Sequence, residues 1–407
     1  MRKTAPDSVE DRGQAPSLRG TNQTGMRQWN ERLVLSLVRA RRSLPKAEIA
    51  RQTGLSAQTV SVIMRALEQD GLLERGEPVR GRVGQPSVPM SLAAEGAFFL
   101  GLKIGRRSSE MVLVDFHGKL RGRRIRRHDW PTPSAALTFA DLAARELIDQ
   151  LPPALHHRVA GLGVATPFRL WDWAGSLGAP QSEMDAWRDL DFRAALSARH
   201  PYPVFLENDA TAACGAELIF GKAMQLPSDF VHVYVGFFVG GGVVLNGALY
   251  PGRHGNAGAL GSMPVTDAAG RRVQLIDVAS TSGLEAALVA AGRSADEIWA
   301  TPDHWTIDEA ILAPWIAQAA EGLAQATVAA LSVFDFEALV LDGWMPRAVR
   351  QRMVAATRAA LARQNFAGLE VPDVIEGTLG ADARAMGAAA LPLTDRFLVD
   401  RGTGALS

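Results

Sequence analysis

The stretch FLGLKIGRRSSEMVLVDFHG, residues 99–118, decides the fold. It reads as an apolar strand, a glycine-bearing turn and a second apolar strand. Glycines in such a turn let backbone amides approach a phosphate, because no Cβ stands in the way. Here the turn is Gly105-Arg106-Arg107-Ser108. Two long cationic side chains occupy the place where bare backbone is wanted. Either the chain binds and transfers a phosphate, or it has kept the frame and lost that chemistry.

Downstream of this hairpin, strand-like and helix-like segments alternate. KLRGRRIRRHDW (119–130) continues as a third strand, and AALTFADLAARELIDQL (135–151) has the period of an amphipathic helix. VAGLGVATP (159–167) is a buried strand ending in a turn, and PVFLENDATAACGAELIFG (203–221) is a strand running into a helix. FVHVYVGFFVGGGVVLNGALYPG (230–252) is another glycine-linked strand pair. FDFEALVLDGW (334–344) ends a helix and opens a strand, and GADARAMGAAALPL (380–393) is a small-residue helix suited to close backbone packing. The pattern predicts mixed α/β architecture around a cleft.

Upstream the composition changes. The 407 residues carry 43 Lys+Arg and 43 Asp+Glu, but residues 1–94 hold 15 of those cations against 9 of the anions. A basic front on an acidic body points to a polyanion as the partner of the front. Residues 1–25 lack apolar periodicity and are expected to be disordered. From Met26, the apolar positions Leu33, Val34, Leu37 and Val38 fall on one helical face. A second helix is expected over Lys46–Thr53, then a Gly54-Leu55 turn, then a third helix capped by Ser56. In the third, Val60, Ile63, Met64 and Leu67 recur at core spacing, and Asp70-Gly71 ends it.

Helix, glycine turn, helix is the helix-turn-helix pattern. Its outer face offers Lys46, Ser56, Gln58, Thr59, Ser61 and Arg65, short polar groups and cations suited to base edges and phosphates in a major groove. GEPVRGRVGQPSV (76–88) follows as a wing, with Arg80 and Arg82 flanking Gly81 and suited to a minor groove. The bland alternatives are a helical hairpin with a solvated face and a loop with incidental arginines. Likewise the arginines of the 119–130 run suit a solvated edge strand that resists aggregation, with a second phosphate-contacting surface as the rarer reading.

One cysteine, Cys214, excludes an intrachain disulfide and a cysteine-based zinc site, and suits a reducing compartment. The polar N-terminus has no signal-peptide core, and the longest apolar run, 230–245, is short and broken by glycines. A cytoplasmic location without membrane contact is expected.

Several collinear motifs carry a resemblance. GTNQTGMRQWN (20–30), AEIARQTGLSAQTVSVIMRALEQDGLLER (47–75), ENDATAACGAE (207–217), GGGVVLNGALYPGRHGNAGALGSMPV (240–265) and GAAALPL (387–393) resemble ROK-family regulators, a family of repressors, open reading frames and sugar kinases. The likeness covers roughly residues 20–395. It implies a winged helix-turn-helix over 26–92 followed by a two-lobed, actin-like body. Lobe 1 would be 96–205 with 380–407, and lobe 2 would be 206–379. It also implies a homodimer or tetramer and a double-stranded DNA operator.

Against the family kinases, the phosphate loop's carboxylate position is Lys103, and its second glycine and threonine are Arg106 and Arg107. Phosphoryl transfer with Mg²⁺ is therefore not expected. Asp209, the family's base, is expected to be vestigial. Glu207, Asn208, Asp209 and His254 remain as contacts for a carbohydrate-like effector, with helix capping as the structural alternative for Asn208 and Asp209. Ala259, Ser262 and Ile276 stand where the family holds sugar hydroxyls, and Ser262, Asp267, Ala269 and Gln274 stand at its zinc positions, so neither a metal nor a cofactor is expected. The reading is a transcriptional regulator, most readily a repressor of carbohydrate-related genes, and not an enzyme. An ATP-dependent sugar kinase is the alternative, and a DNA-binding scaffold blind to ligand is a third reading.

Overall fold

Core spacing sets the helices of the front unit. The computed structural model describes residues 23–78, 88–222 and 226–399. Helix α1 (Gln23–Arg41) buries Val34, Leu35 and Val38. It starts at Gln23, ahead of the expected Met26, so residues 23–25 are helical rather than disordered; the rest of the expected tail lies outside the described residues. Helix α2 (Lys46–Thr53) ends on Gly54 at φ 69°, a left-handed position that glycine adopts without penalty. Helix α3 (Ala57–Gln69) is capped by Ser56, whose Oγ accepts from the Thr59 amide at 3.1 Å, and buries Val60, Ile63, Met64 and Leu67.

Three strands close the unit: β1 (Ser43–Pro45), β2 (Leu73–Arg75) and β3 (Pro89–Leu92), in the order β1-β3-β2 and all antiparallel. The two wing strands were expected. Strand β1 was not, because three residues give no period to read. Its Pro45 is tolerated because β1 lies at the sheet edge, where a missing N–H breaks no ladder.

The body has two five-stranded sheets. The first is β4 (Phe98–Ile104), β5 (Ser108–Asp115), β6 (Leu120–Arg127), β7 (Val159–Ala165) and β8 (Val204–Glu207), ordered β6-β5-β4-β7-β8. Strands β4, β5 and β6 form the antiparallel meander read from the sequence, and β7 and β8 add in parallel. Helix α4 (Pro133–Ile148) covers one face, with the short helices α5 (Ala174–Leu177), α6 (Gln181–Asp185) and α7 (Phe192–Ser197). Helix α8 (Asp209–Phe220) leads out of β8.

The second sheet is β9 (Phe230–Val235), β10 (Val239–Leu245), β11 (Ala248–Tyr250), β14 (Ala338–Gly343) and β15 (Asp373–Glu376), ordered β11-β10-β9-β14-β15. A separate hairpin, β12 (Pro264–Thr266) with β13 (Arg272–Gln274), precedes α9 (Leu275–Ala279), α10 (Thr281–Ala290) and α11 (Asp296–Ala300). Helices α12 (Glu309–Leu331) and α13 (Arg347–Leu361) cover the outer face, and α14 (Ala383–Phe397) returns to the first sheet.

Close backbone approach explains the glycines of the two central strands. A Cβ on Gly101 would meet Ala385 O at 2.3 Å, and one on Gly163 would meet Ala388 O at 1.8 Å. Helix α14 therefore lies directly on β4 and β7. The front unit is not a separate bead. Val34, Leu35, Val38, Ile63 and Met64 share one apolar cluster with Phe99, Phe116, Met386 and Phe397.

Candidate nucleic-acid interface and ligand cleft

On α3 the side opposite the buried stripe carries exposed Gln58 and Arg65 and half-buried Ser61. Three helical positions at i, i+3 and i+7 share a face. None of these side chains hydrogen-bonds to another described residue. Ser56 and Thr59 differ: their hydroxyls lie 2.8 Å apart, so their first task is the helix cap. Lys46 is exposed at the start of α2. Arg80 and Arg82 lie outside the described residues.

The sequence reading missed Val62. It is 57% exposed on the same face, one turn from Gln58 and from Arg65. An exposed aliphatic group among polar ones can pack on a thymine methyl, an apolar feature of the major groove. Its position four residues after Gln58 was the available signal.

The Gly105–Ser108 turn is closed by side chains from the other sheet's helices. Arg106 Nη1 lies 3.3 Å from Glu285 Oε2, and Arg107 Nη2 lies 3.4 Å from Glu285 Oε1. Trp299 Nε1 donates to the same carboxylate at 2.8 Å. The Arg106 guanidinium sits 3.5 Å from the centroid of Phe237, so charge and quadrupole hold it as well. The Gly105–Ser108 turn and the turn between β9 and β10, which carries Phe237, thus meet each other. Glu285 has no local sequence signal, since its partners are 178 and 179 residues away.

Lys103, at the family's carboxylate position, is 3% exposed. Its Nζ is 3.2 Å from Ser108 Oγ and 3.8 Å from Glu110 Oε2. Burial, reinforced by the Arg384 charge, pulls its ammonium down to about 8 from the usual 10.5. Glu110 is shared with Arg123, whose Nε is 3.1 Å away. A cleft of about 980 Å³ opens beside these groups, lined among others by Lys103, Arg107, Arg123, Trp299, Trp344 and Arg384.

None of the expected effector residues lines that cleft, and Asp209 adjoins it through the lining residue Arg384. Glu207 ends β8, and its Oε1 accepts from the Asn208 amide at 2.8 Å; burial raises its carboxyl above the ordinary value. Asn208 caps α8 by accepting from the Ala210 and Thr211 amides, at 3.1 and 3.4 Å. Asp209 is tied to Arg384, Oδ2 to Nη1, at 3.2 Å. Arg384 lies 4.9 Å from the Tyr234 ring centroid. His254 is exposed on the turn after β11; a Cβ on its neighbour Gly255 would be 3.9 Å from Glu207 Oε1, so this turn overlies Glu207. The ion pair occupies the Asp209 oxygen that a ligand hydroxyl would have to reach.

The arginines of β6 are engaged mainly with the chain's own carboxylates. Arg121 pairs with Asp115 and Glu95, Arg123 with Glu110 and Asp382, and Arg124 with Glu146. Arg127 reaches the Ala300 carbonyl at 3.5 Å. Among the described residues no helix is long and apolar enough to cross a membrane.

Comparison with known proteins agrees with this geometry. A winged helix-turn-helix DNA-binding profile matches residues 30–74, and the ROK family profile matches residues 99–395. The protein y4fQ of Sinorhizobium fredii is 27% identical over 93% of each chain. The xylose repressor of Bacillus subtilis is 23% identical over 60% of this chain, which spans only 62% of the repressor's length. A solved ROK family transcriptional regulator, described as a homolog of the E. coli MLC protein, superposes with a TM-score of 0.64. That superposition covers 90% of this chain and 96% of the other, at 19% identity. An actin-like body behind a winged helix-turn-helix, with the family profile matching nearly three quarters of the whole chain, makes this chain a member of the ROK family.

Proposed function

We propose that this chain is a DNA-binding transcriptional regulator, a repressor of carbohydrate-related genes, that does not transfer phosphate. The observation that carries the reading is a contrast. The outer face of α3 holds Gln58, Ser61, Val62 and Arg65 on a buried scaffold, with no side-chain hydrogen bond from them to another described residue, while the phosphate turn is filled by Arg106 and Arg107 bound to Glu285. A groove-reading helix needs free donors, and a phosphoryl-transfer site needs bare amides and a metal-binding carboxylate. The wing arginines Arg80 and Arg82 would add minor-groove contacts, and Lys46 and Ser56 would flank the major-groove face. The names of the similar xylose repressor and of the similar ROK regulator point the same way.

The effector in this reading is a small carbohydrate-like molecule contacting Glu207, Asn208, Asp209 and His254. The body pairs chains into a homodimer or tetramer, so that two winged helices meet a palindromic operator. The site of action is the cytoplasm, where the operator is.

Fluorescence anisotropy at about 0.15 M salt tests it, with labelled DNA from the chain's own upstream region and a scrambled duplex. Tighter binding to the upstream DNA, lost in Arg65→Ala, is the expected result. Equal weak binding to both, together with sugar-dependent ADP release that Asp209→Asn abolishes, would replace the reading with a sugar kinase.

A further inference from the structure

Helix α14 begins at the cleft, α8 begins beside it at Asp209, and both end on the DNA-binding unit. At the cleft their first residues are joined by the Asp209–Arg384 ion pair, with Arg384 resting on Tyr234 of β9. Along their length they touch through backbone. A Cβ on Gly387 would lie 1.9 Å from Ala212 O, and Ala212, Ala213, Ala216, Ala383 and Ala388 are fully buried. Helices packed this closely have no compliant side chains between them, so they shift together or not at all.

At the far ends, α1 grips both helices. Arg32 of α1 donates to the Leu398 and Thr394 carbonyls at the end of α14, at 2.6 and 3.3 Å. Ser36 Oγ accepts from the Val399 amide at 2.9 Å. Arg39 donates to the Ile219 carbonyl at the end of α8 at 3.2 Å, and its guanidinium lies 5.2 Å from the Phe220 ring centroid. It also holds the Phe116 carbonyl at 2.8 Å. Positions 32, 36 and 39 share one helical face. The opposite side of α1 packs against α3 in the cluster that contains Val34, Val38, Val60 and Ile63.

We infer that α8 and α14 form one lever that carries the state of the Asp209–Arg384 pair to α1, with Arg32 and Ser36 following α14 and Arg39 following α8. A ligand hydroxyl that bonds Asp209 competes with Arg384, and the displaced pair re-seats both helix starts. The lever spans about 18 Å along α8 at 1.5 Å per residue, so a tilt at the cleft end arrives at α1 as a translation. A ligand then alters DNA affinity to the extent that it prefers one seating. This inference rests on the proposed regulator reading only for its consequence on DNA; the mechanical link stands on the contacts themselves.

Hydrogen exchange of the full chain, read by mass spectrometry, tests the link without any ligand. Arg384→Met and the nearly isosteric Asp209→Asn are expected to speed exchange several-fold at both helix starts and in α1. Glu309→Gln, which breaks an exposed pair with Arg352 elsewhere, is expected to leave α1 unchanged. The lever is overturned if the two cleft variants change residues 207–214 and 381–388 only. It is also overturned if Glu309→Gln loosens α1 equally, since that would be general softening. Anisotropy on the same variants is expected to show operator affinity shifted about fivefold or more. If the wild-type chain binds no operator while α1 responds to the cleft variants, the regulator reading fails and the lever stands.

Discussion

On the outer face of α3, Gln58, Ser61 and Arg65 lie opposite the buried stripe and hydrogen-bond to no other described residue through their side chains. At the Gly105–Ser108 turn, side chains of the same chemical type are paired within the chain: Arg106 is largely buried, and the more exposed Arg107 shares its carboxylate, Glu285. Arg65 and Arg106 show the difference. Arg65 is exposed and makes no side-chain hydrogen bond to another described residue, whereas Arg106 is packed on Phe237 and paired with Glu285. A surface that recognises an external partner keeps donors unpaired until the partner arrives, because each internal bond would have to be broken first. A turn whose arginines already share Glu285 has become part of the packing.

Four substitutions break or sharpen that contrast. The largest effect is expected inside the cleft. Lys103→Met removes a buried ammonium whose folded value, about 8, lies below the ordinary 10.5. The folded chain releases this proton earlier than the unfolded chain, so stability rises with pH between those values. Below pH 8 the cost of keeping the buried charge is fully present. That rise amounts to as much as about 3 kcal/mol. Urea unfolding at pH 8 and pH 10 is expected to show it in the wild type and not in Lys103→Met. A variant retaining the full slope would mean Lys103 is better solvated than its burial indicates.

Next comes the open surface. Gln58→Ala is expected to weaken upstream-DNA binding by roughly 1–3 kcal/mol, about five- to 150-fold, with little change on scrambled DNA. Equal losses on both duplexes would make Gln58 a backbone contact. A smaller effect is expected at the closed turn. Glu285→Gln leaves Arg106 and Arg107 without their carboxylate and should cost about 1–2 kcal/mol in a urea titration, with DNA binding retained. The smallest belongs to Arg75, which pairs with Glu68 on the surface of the front unit, its side chain 62% exposed. Arg75→Ala is expected to leave the unfolding midpoint unchanged, because a solvated pair exchanges one set of good contacts for another. A loss there as large as that of Glu285→Gln would erase the distinction between the two regions.

Much of the architecture was legible in local patterns. The caps at Ser56 and Gly54, the core stripe of α3 and the three-strand meander from 98 to 127 all arise from periods of 3.6 and 2 within short windows. Strand β1 escaped because three residues carry no period, and the helical start at Gln23 escaped because polar residues can extend a helix that packing stabilises elsewhere. The site was less legible. Asn208 and Asp209 were recognisable as the start of a helix, but a cleft that they do not line was not.

Residue types and local spacing determined that the front of the chain is a helix-turn-helix and that the body is mixed α/β with glycine-linked strand pairs, while the lost carboxylate of the phosphate turn was read from the family resemblance. Those properties belong to neighbouring residues, and local sterics and hydrophobic periodicity suffice to express them. Only the tertiary structure decided what the substituted arginines do, what Asp209 is bonded to, and that α1 is seated on α8 and α14. Glu285, Arg384 and Arg32 reach partners 175 or more residues away. Ion pairs and helix contacts over such separations are set by how the chain folds back on itself, and no window of sequence contains both ends.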